Sequence, residues 1–131
     1  MILTGETIGD KLKYYRLKNK LTQDKLAKLV GFSNGSCIKD IETNRRLPGR
    51  DISKKLASIF KLDTLYFFDE YLEYTHNLSN KLKEFRRKNN LTIKSACLKY
   101  GFSQSSWSSW ENEKSYIERD KLYILKDNNI I

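Results

Sequence analysis

Only one proline, one histidine, two cysteines and six glycines occur among 131 residues, and each shortage removes a class of protein. So few turn-formers argue against an all-β domain, whose many short strands need them at every connection. No apolar–polar alternation of strand length is present either, which leaves an all-α chain. Cys37 and Cys97 stand in no metal-ligand spacing, so a reduced, cytoplasmic setting is the default. No apolar run approaches the length of a membrane span, about 18 residues, so no membrane partner is expected. The start, MILTGETIGDKL, lacks the basic region and apolar core of a signal peptide. One histidine, no glycine-rich phosphate loop and no nucleophile–base arrangement argue against an enzyme, a cofactor or a metal.

Positive charge is what the chain has in excess. Lys and Arg number 25 against 16 Asp and Glu, a net charge of +9. A field of that sign favours a polyanionic partner, nucleic acid before membrane. Solvated lysine faces on a soluble protein are the plainer alternative, and charge alone leaves it open.

Apolar spacing predicts a first helix over Ile8–Lys18, with Ile8, Leu12, Tyr15 and Leu17 turned to a core. Thr22 can cap a second helix carrying Leu26, Ala27, Leu29 and Val30, and Gly31 can end it in the left-handed conformation. Ser33 or Ser36 can cap a third, with Ile38 and Ile41 inward; the pair reads as a helix-turn-helix. Pro48 and Gly49 break the chain, Asp51 can cap a fourth helix, and Asp63 can open a fifth through LYFFDEYLEY.

The pattern then returns. LKYYRLKNKLT at Leu12–Thr22 aligns with LKEFRRKNNLT at Leu82–Thr92, seventy positions later, and GFS recurs at Gly31 and Gly101. Ile41-Glu42 aligns with Trp110-Glu111 at an offset of sixty-nine, so the first repeat holds one extra residue, placed in the Asn34-Gly35 turn. Two repeats make tandem domains, assigned to residues 1–75 and 76–131, with the boundary near Thr75–Leu78.

Arg16, Leu21-Thr22-Gln23, Leu26-Ala27, Gly31, Ser33, Ile38, Ile41-Glu42, Asn44, Arg46 and Pro48 stand in the order of the lambda-repressor-like, Cro-type (XRE) helix-turn-helix family, which repeat 1 resembles. Repeat 2 resembles it through Arg86, Thr92, Gly101, Ser103, Trp107, Trp110 and Glu111, in a shorter, degenerate form. The resemblance implies a five-helix domain followed by a second helix-turn-helix, and a third helix that enters the major groove of double-stranded DNA. It implies Gln23 as a phosphate anchor, matched by Ile93 in repeat 2, and Arg16–Glu42 and Arg86–Glu111 as ion pairs of the scaffold. Ser36 and Asp40 fall where similar proteins read bases.

The outward residues of the same stretch are Asn34, Ser36, Lys39, Asp40 and Thr43, followed by Asn44, Arg45 and Arg46, where asparagine suits a left-handed turn and the arginines can grip phosphate. In repeat 2 the corresponding face holds Gln104, Ser105 and Ser109, and Gln104 could read adenine bidentately. Trp107 and Trp110 read as core or as an aromatic partner surface. Some of Tyr66, Phe67, Phe68, Tyr71 and Tyr74 exceeds what one helix face needs and suits an interface. Cys97 aligns with Ala27 as a buried thiol, Cys37 near the third helix could disturb DNA contact if oxidised, and His76 reads as a solvated linker residue.

These readings converge on a DNA-binding transcriptional regulator, a small bacterial, phage or mobile-element repressor. It would work as a homodimer or as an intramolecular pseudo-dimer of its repeats. The alternative is a protein-interaction module, an antitoxin or adaptor whose second repeat binds a protein.

Overall fold

The structure, a computed structural model, describes residues 6–131, and among them it contains nine helices and no strand. The chain divides into two compact units, one ending at Asp69 and one beginning at Glu70.

The first unit holds α1 (Ile8–Lys18), α2 (Gln23–Val30), α3 (Ser36–Glu42) and α4 (Arg50–Ile59). A capping box opens α1: Thr7 Oγ1 accepts the Asp10 amide at 3.1 Å and Asp10 Oδ2 accepts the Thr7 amide at 3.2 Å. Leu12, Leu26, Ala27, Val30, Ile38, Ile41, Leu56, Ala57, Phe60 and Phe67 form its core. α3 packs against both α1 and α2. Leu17 and Leu29, expected inward, are instead 55% and 58% exposed, because Leu12 on α1 and Leu26, Ala27 and Val30 on α2 already fill the buried stripe.

The expected helix opening at Asp63 does not form there. Asp63 Oδ1 accepts the Leu65 amide at 2.9 Å and its carbonyl accepts the Tyr66 amide at 3.0 Å, closing a turn. A further turn follows, with the Phe68 amide donating to the Leu65 carbonyl at 2.9 Å, and Phe67 and Phe68 are both buried. The fifth helix starts later, as α5 (Glu70–Thr75), and belongs to the second unit. The division therefore precedes α5, where the sequence placed the boundary after it. Within that unit Tyr71 Oη donates to the Ile117 carbonyl at 2.6 Å, and Lys126 pairs with Glu70.

α6 (Leu78–Lys88), α7 (Ile93–Tyr100), α8 (Gln104–Glu111) and α9 (Arg119–Asp127) repeat the order of α1–α4. Left-handed residues recur after corresponding helices: Lys20 with Asn90, Gly31 with Gly101, Asn44 with Glu113, and Lys61 with Asn129, the last pair one residue closer because α9 is a residue shorter than α4. Trp107 and Trp110 are core: they are 0% and 5% exposed, and Phe102 lies 5.9 and 5.4 Å from their ring centroids. Cys97 is buried beside them, as its alignment with Ala27 predicts.

One packing site separates the repeats. A methyl on Gly9 would lie 2.4 Å from the Ile41 carbonyl oxygen and 2.7 Å from that of Glu42. The matching residue in repeat 2 is Ser79, whose hydroxyl donates to the Glu111 carbonyl. At Gly9 the backbone of α1 approaches that of α3 directly, whereas at Ser79 α6 reaches α8 through a side-chain hydrogen bond.

Candidate nucleic-acid interface

α2 and α3 are held in place mainly by local bonds. Thr22 Oγ1 accepts the Lys25 amide at 3.1 Å, and Gly31 ends α2 at φ +95°. Neither serine proposed for the cap of α3 serves it: the N-cap is Gly35, with no side-chain bond. The extra turn residue displaces Ser33 from capping range, and the amides are met from elsewhere. Asn34 Oδ1 accepts the Ser36 amide at 2.9 Å, and Asp24 Oδ1 accepts the Gly35 amide at 2.7 Å. In the shorter turn of repeat 2, Ser103 does cap, accepting the Ser106 amide at 3.1 Å. Asp51 does not cap α4 either; Gly49 holds that place, and Asp51 lies in the first turn, where its charge complements the helix dipole.

Asn34, Ser36, Lys39, Thr43, Asn44, Arg45 and Arg46 are exposed, while Gln23 and Asp40 are half-buried. An open hollow between the starts of α2 and α3 is lined by Thr22, Gln23, Asp24, Asn34, Gly35, Ser36 and Lys39. Asn44 turns the chain at φ +61°, and the amides of Arg45 and Arg46 both donate to the Asp40 carbonyl, at 2.9 and 3.2 Å. The Arg46 guanidinium lies 5.7 Å from the Phe32 ring centroid and donates to Cys37 Sγ at 3.2 Å. It is thus held beside α3 before any ligand arrives. The Thr43 hydroxyl turns back to the Lys39 carbonyl at 2.8 Å.

Beneath this face lies the ion pair. Arg16 Nε and Nη2 reach the two Glu42 carboxylate oxygens at 2.5 and 3.0 Å, and Nη1 donates to the Leu21 carbonyl at 2.9 Å. Gln23 Nε2 adds a third bond to Glu42 Oε1 at 3.3 Å, which ties the start of α2 to the end of α3. Arg86 grips Glu111 in the same way, at 2.6 and 2.7 Å, but there the further donor is Trp107 Nε1. Ile93, standing where Gln23 stands, packs on the core. The repeats thus satisfy one buried carboxylate with different donors.

Burial alone would raise the Glu111 carboxyl, but the bonds from Arg86 and Trp107 outweigh it and hold the group below its ordinary value of 4.5. The bond to Glu111 raises Arg86 in turn, and burial followed by the Glu111 charge pushes the Cys97 thiol up. A carboxyl depressed in the folded state adds stability that is complete above its unfolded value and is lost as pH falls through its folded value. The second unit should therefore weaken as pH drops below 4.5. Both tryptophans lie in that unit, so their fluorescence reads it directly. Urea titrations in acid should show a shallower decline for Glu111→Gln; identical acid limbs would remove Glu111 as the source.

The outer face of repeat 2 carries different chemistry. Gln104 and Ser105 are exposed, and Ser109 is half-buried with its carbonyl accepting the Lys114 amide at 2.9 Å. Lys39, Arg46, Lys54 and Lys55 have as counterparts Ser108, Ser115, Tyr123 and Ile124, so most cations of the first face are gone. Sequence reasoning passed over Asp24, Gly9 and Phe32. A signal existed for Asp24: its counterpart is Lys94, in the same repeat whose turn is one residue shorter.

Two short helices joined by a tight turn, the second braced on α1 by a buried Arg–Glu pair, define a helix-turn-helix domain. A helix-turn-helix domain family matches residues 9–73. An uncharacterized HTH-type transcriptional regulator of Methanocaldococcus jannaschii is 35% identical over 63 residues, which are 47% of this chain and 94% of that protein. The chain belongs to the XRE-type helix-turn-helix family. No solved structure matches it. Among the described residues no helix is long and apolar enough to cross a membrane.

Proposed function

We propose that this chain is a sequence-specific, double-stranded DNA-binding transcriptional regulator, acting as a repressor that occupies its operator and excludes polymerase. α3 of the first unit enters the major groove, where Asn34, Ser36, Lys39 and Asp40 meet base edges. Asn44, Arg45 and Arg46 lie against the phosphates, as does Gln23 at the start of α2. The observation that carries this reading is the grouping of exposed Lys39, Arg45 and Arg46 around α3, on a helix pair whose buried Arg16–Glu42 bond fixes the geometry. The loss of Gln23 and of most cations from repeat 2 supports an operator read by two copies of the first unit, hence a palindrome bound by a homodimer. Two unlike half-sites would instead mark Gln104, Ser105 and Ser109 as a second reading head.

Selection from random duplex DNA with the full chain tests this. Arg46→Ala should weaken binding to every sequence and lower the salt slope by about one. Ser36→Ala and Asp40→Ala should change which bases are preferred, by about 1–3 kcal/mol at the position each one reads. Unchanged affinity in Arg46→Ala would remove the docking face proposed here.

A second reading, a protein contact through repeat 2 as in an antitoxin or adaptor, is favoured by one observation. Tyr123 and Ile124, 46% and 42% exposed, stand where the first repeat has Lys54 and Lys55. Such a contact would be nearly indifferent to salt. Operator binding through about 6–10 phosphates would lose roughly a thousandfold or more between about 50 and 200 mM.

A further inference from the structure

The turn that sets the start of α3 contains a contact with no counterpart in the second repeat. Asp24 Oδ1 accepts the Gly35 amide at 2.7 Å, joining the first turn of α2 to the N-cap of α3. Gly35 is buried, and a methyl there would lie 2.7 Å from that oxygen and 3.0 Å from backbone atoms of both Gln23 and Asp24. Its φ of −74° is ordinary, so close approach, not conformation, demands glycine. α3 has no side-chain N-cap, and the contact from Asp24 supplies part of what a cap would. Repeat 2 has one turn residue fewer, a serine cap of its own and Lys94 in place of Asp24. Lysine has no acceptor to offer. The inserted residue, the missing cap and the carboxylate occur together in repeat 1, and all three are absent from repeat 2.

We infer that Asp24 and Gly35 form a latch that fixes the start of α3 on α2, and with it the register in which Asn34, Ser36 and Asp40 meet base edges. This deepens the DNA-binding reading and rests on it. Asp24 is a positioning residue: its carboxylate is spent on the turn, and a negative charge there offers phosphate nothing. Latch and grip are therefore separable. Arg45 and Arg46 supply affinity for any duplex, whereas the latch supplies discrimination between duplexes.

The experiment uses the full chain and the duplex that the wild type selects, beside an unrelated duplex of equal length. Asp24→Ala should bind the selected duplex about tenfold more weakly without losing affinity for the unrelated one, so that discrimination falls. Asp24→Asn keeps an acceptor oxygen and should hold discrimination to within about threefold of wild type. Gly35→Ala breaks the contact from the other side and should repeat the Asp24→Ala result. Equal loss on both duplexes, or none, overturns the latch. Amide exchange without DNA gives a second readout: Gly35 should be protected in wild type and in Asp24→Asn, and selectively exposed in Asp24→Ala while Leu26 and Thr43, whose amides donate to the Thr22 and Lys39 carbonyls, keep their protection. An unprotected Gly35 in wild type also overturns it. A wild-type chain that selects no duplex would instead defeat the DNA-binding reading, with the latch still decided by exchange.

Discussion

Glu42→Ala should destabilise the first unit by about 3–5 kcal/mol, because it leaves a buried guanidinium without its carboxylate. Arg16 is 8% exposed, and its Nε and Nη2 both end on Glu42. Gln23 Nε2 loses its acceptor in the same stroke. The loss is comparable to the whole stability of many small domains, about 5 kcal/mol at the lower end. Circular dichroism during urea titration should show helix melting at markedly lower denaturant. Tryptophan fluorescence gives the internal comparison, since Trp107 and Trp110 report only the second unit. Glu111→Ala should act the other way round and strike the fluorescence transition, as both Arg86 and Trp107 Nε1 lose their acceptor. A cost for Glu42→Ala below about 1 kcal/mol would mean that solvent screens the pair as it does at a surface, and the burial described here would be wrong.

Gly9→Ala tests the packing by its sign. In an ordinary exposed helix that exchange gains up to about 1 kcal/mol from backbone entropy. Here the added methyl would lie 2.4 Å from the Ile41 carbonyl and 2.7 Å from that of Glu42, both backbone atoms that no rotamer change can move aside. α1 must then shift from α3, and overpacking of that kind costs about 1–3 kcal/mol, sometimes more. The same shift would strain the Arg16–Glu42 bonds, which span the same two helices. Gly9→Ser should be no better, although serine is the natural residue at position 79. There the hydroxyl is bonded to the Glu111 carbonyl, so Ser79→Gly should cost about 1–2 kcal/mol by removing that bond and adding backbone freedom. Equilibrium denaturation of the three variants decides the matter, and a stabilised Gly9→Ala would refute the close approach of α1 to α3.

The two repeats show how one fold tolerates different solutions. The carboxylate at the end of the third helix is kept, with its arginine, in both. Its further donor is Gln23 from α2 in one and Trp107 from within α8 in the other. Trp107 replaces Ile38 and fills the core, and Ile93 replaces Gln23 and packs on it, so the exchange is coupled. What repeat 2 gives up is a polar side chain at the mouth of the α2–α3 hollow.

What the sequence determined by itself is mostly short-range. Thr22 and Gly31 bound α2 because a cap and a left-handed residue act on amides and carbonyls within a turn of themselves. The residue range of α1 follows from apolar spacing, and Asn44 takes the left-handed turn because asparagine tolerates it. The repeat was legible from identities at an offset of seventy and then sixty-nine, and the resemblance to the helix-turn-helix family implied the two Arg–Glu pairs. Tertiary structure decided the rest. Successive turns stand where a helix start at Asp63 was predicted, Phe67 and Phe68 are both buried there, and α5 belongs to the second unit. Asp24, eleven residues away, accepts the amide of Gly35, the N-cap of α3, a contact beyond the reach of any local rule. The same holds for the choice between Gln23 and Trp107, and for Gly9 against Ser79. Each depends on how closely two helices approach, a distance set by the packed core and by no single stretch of chain.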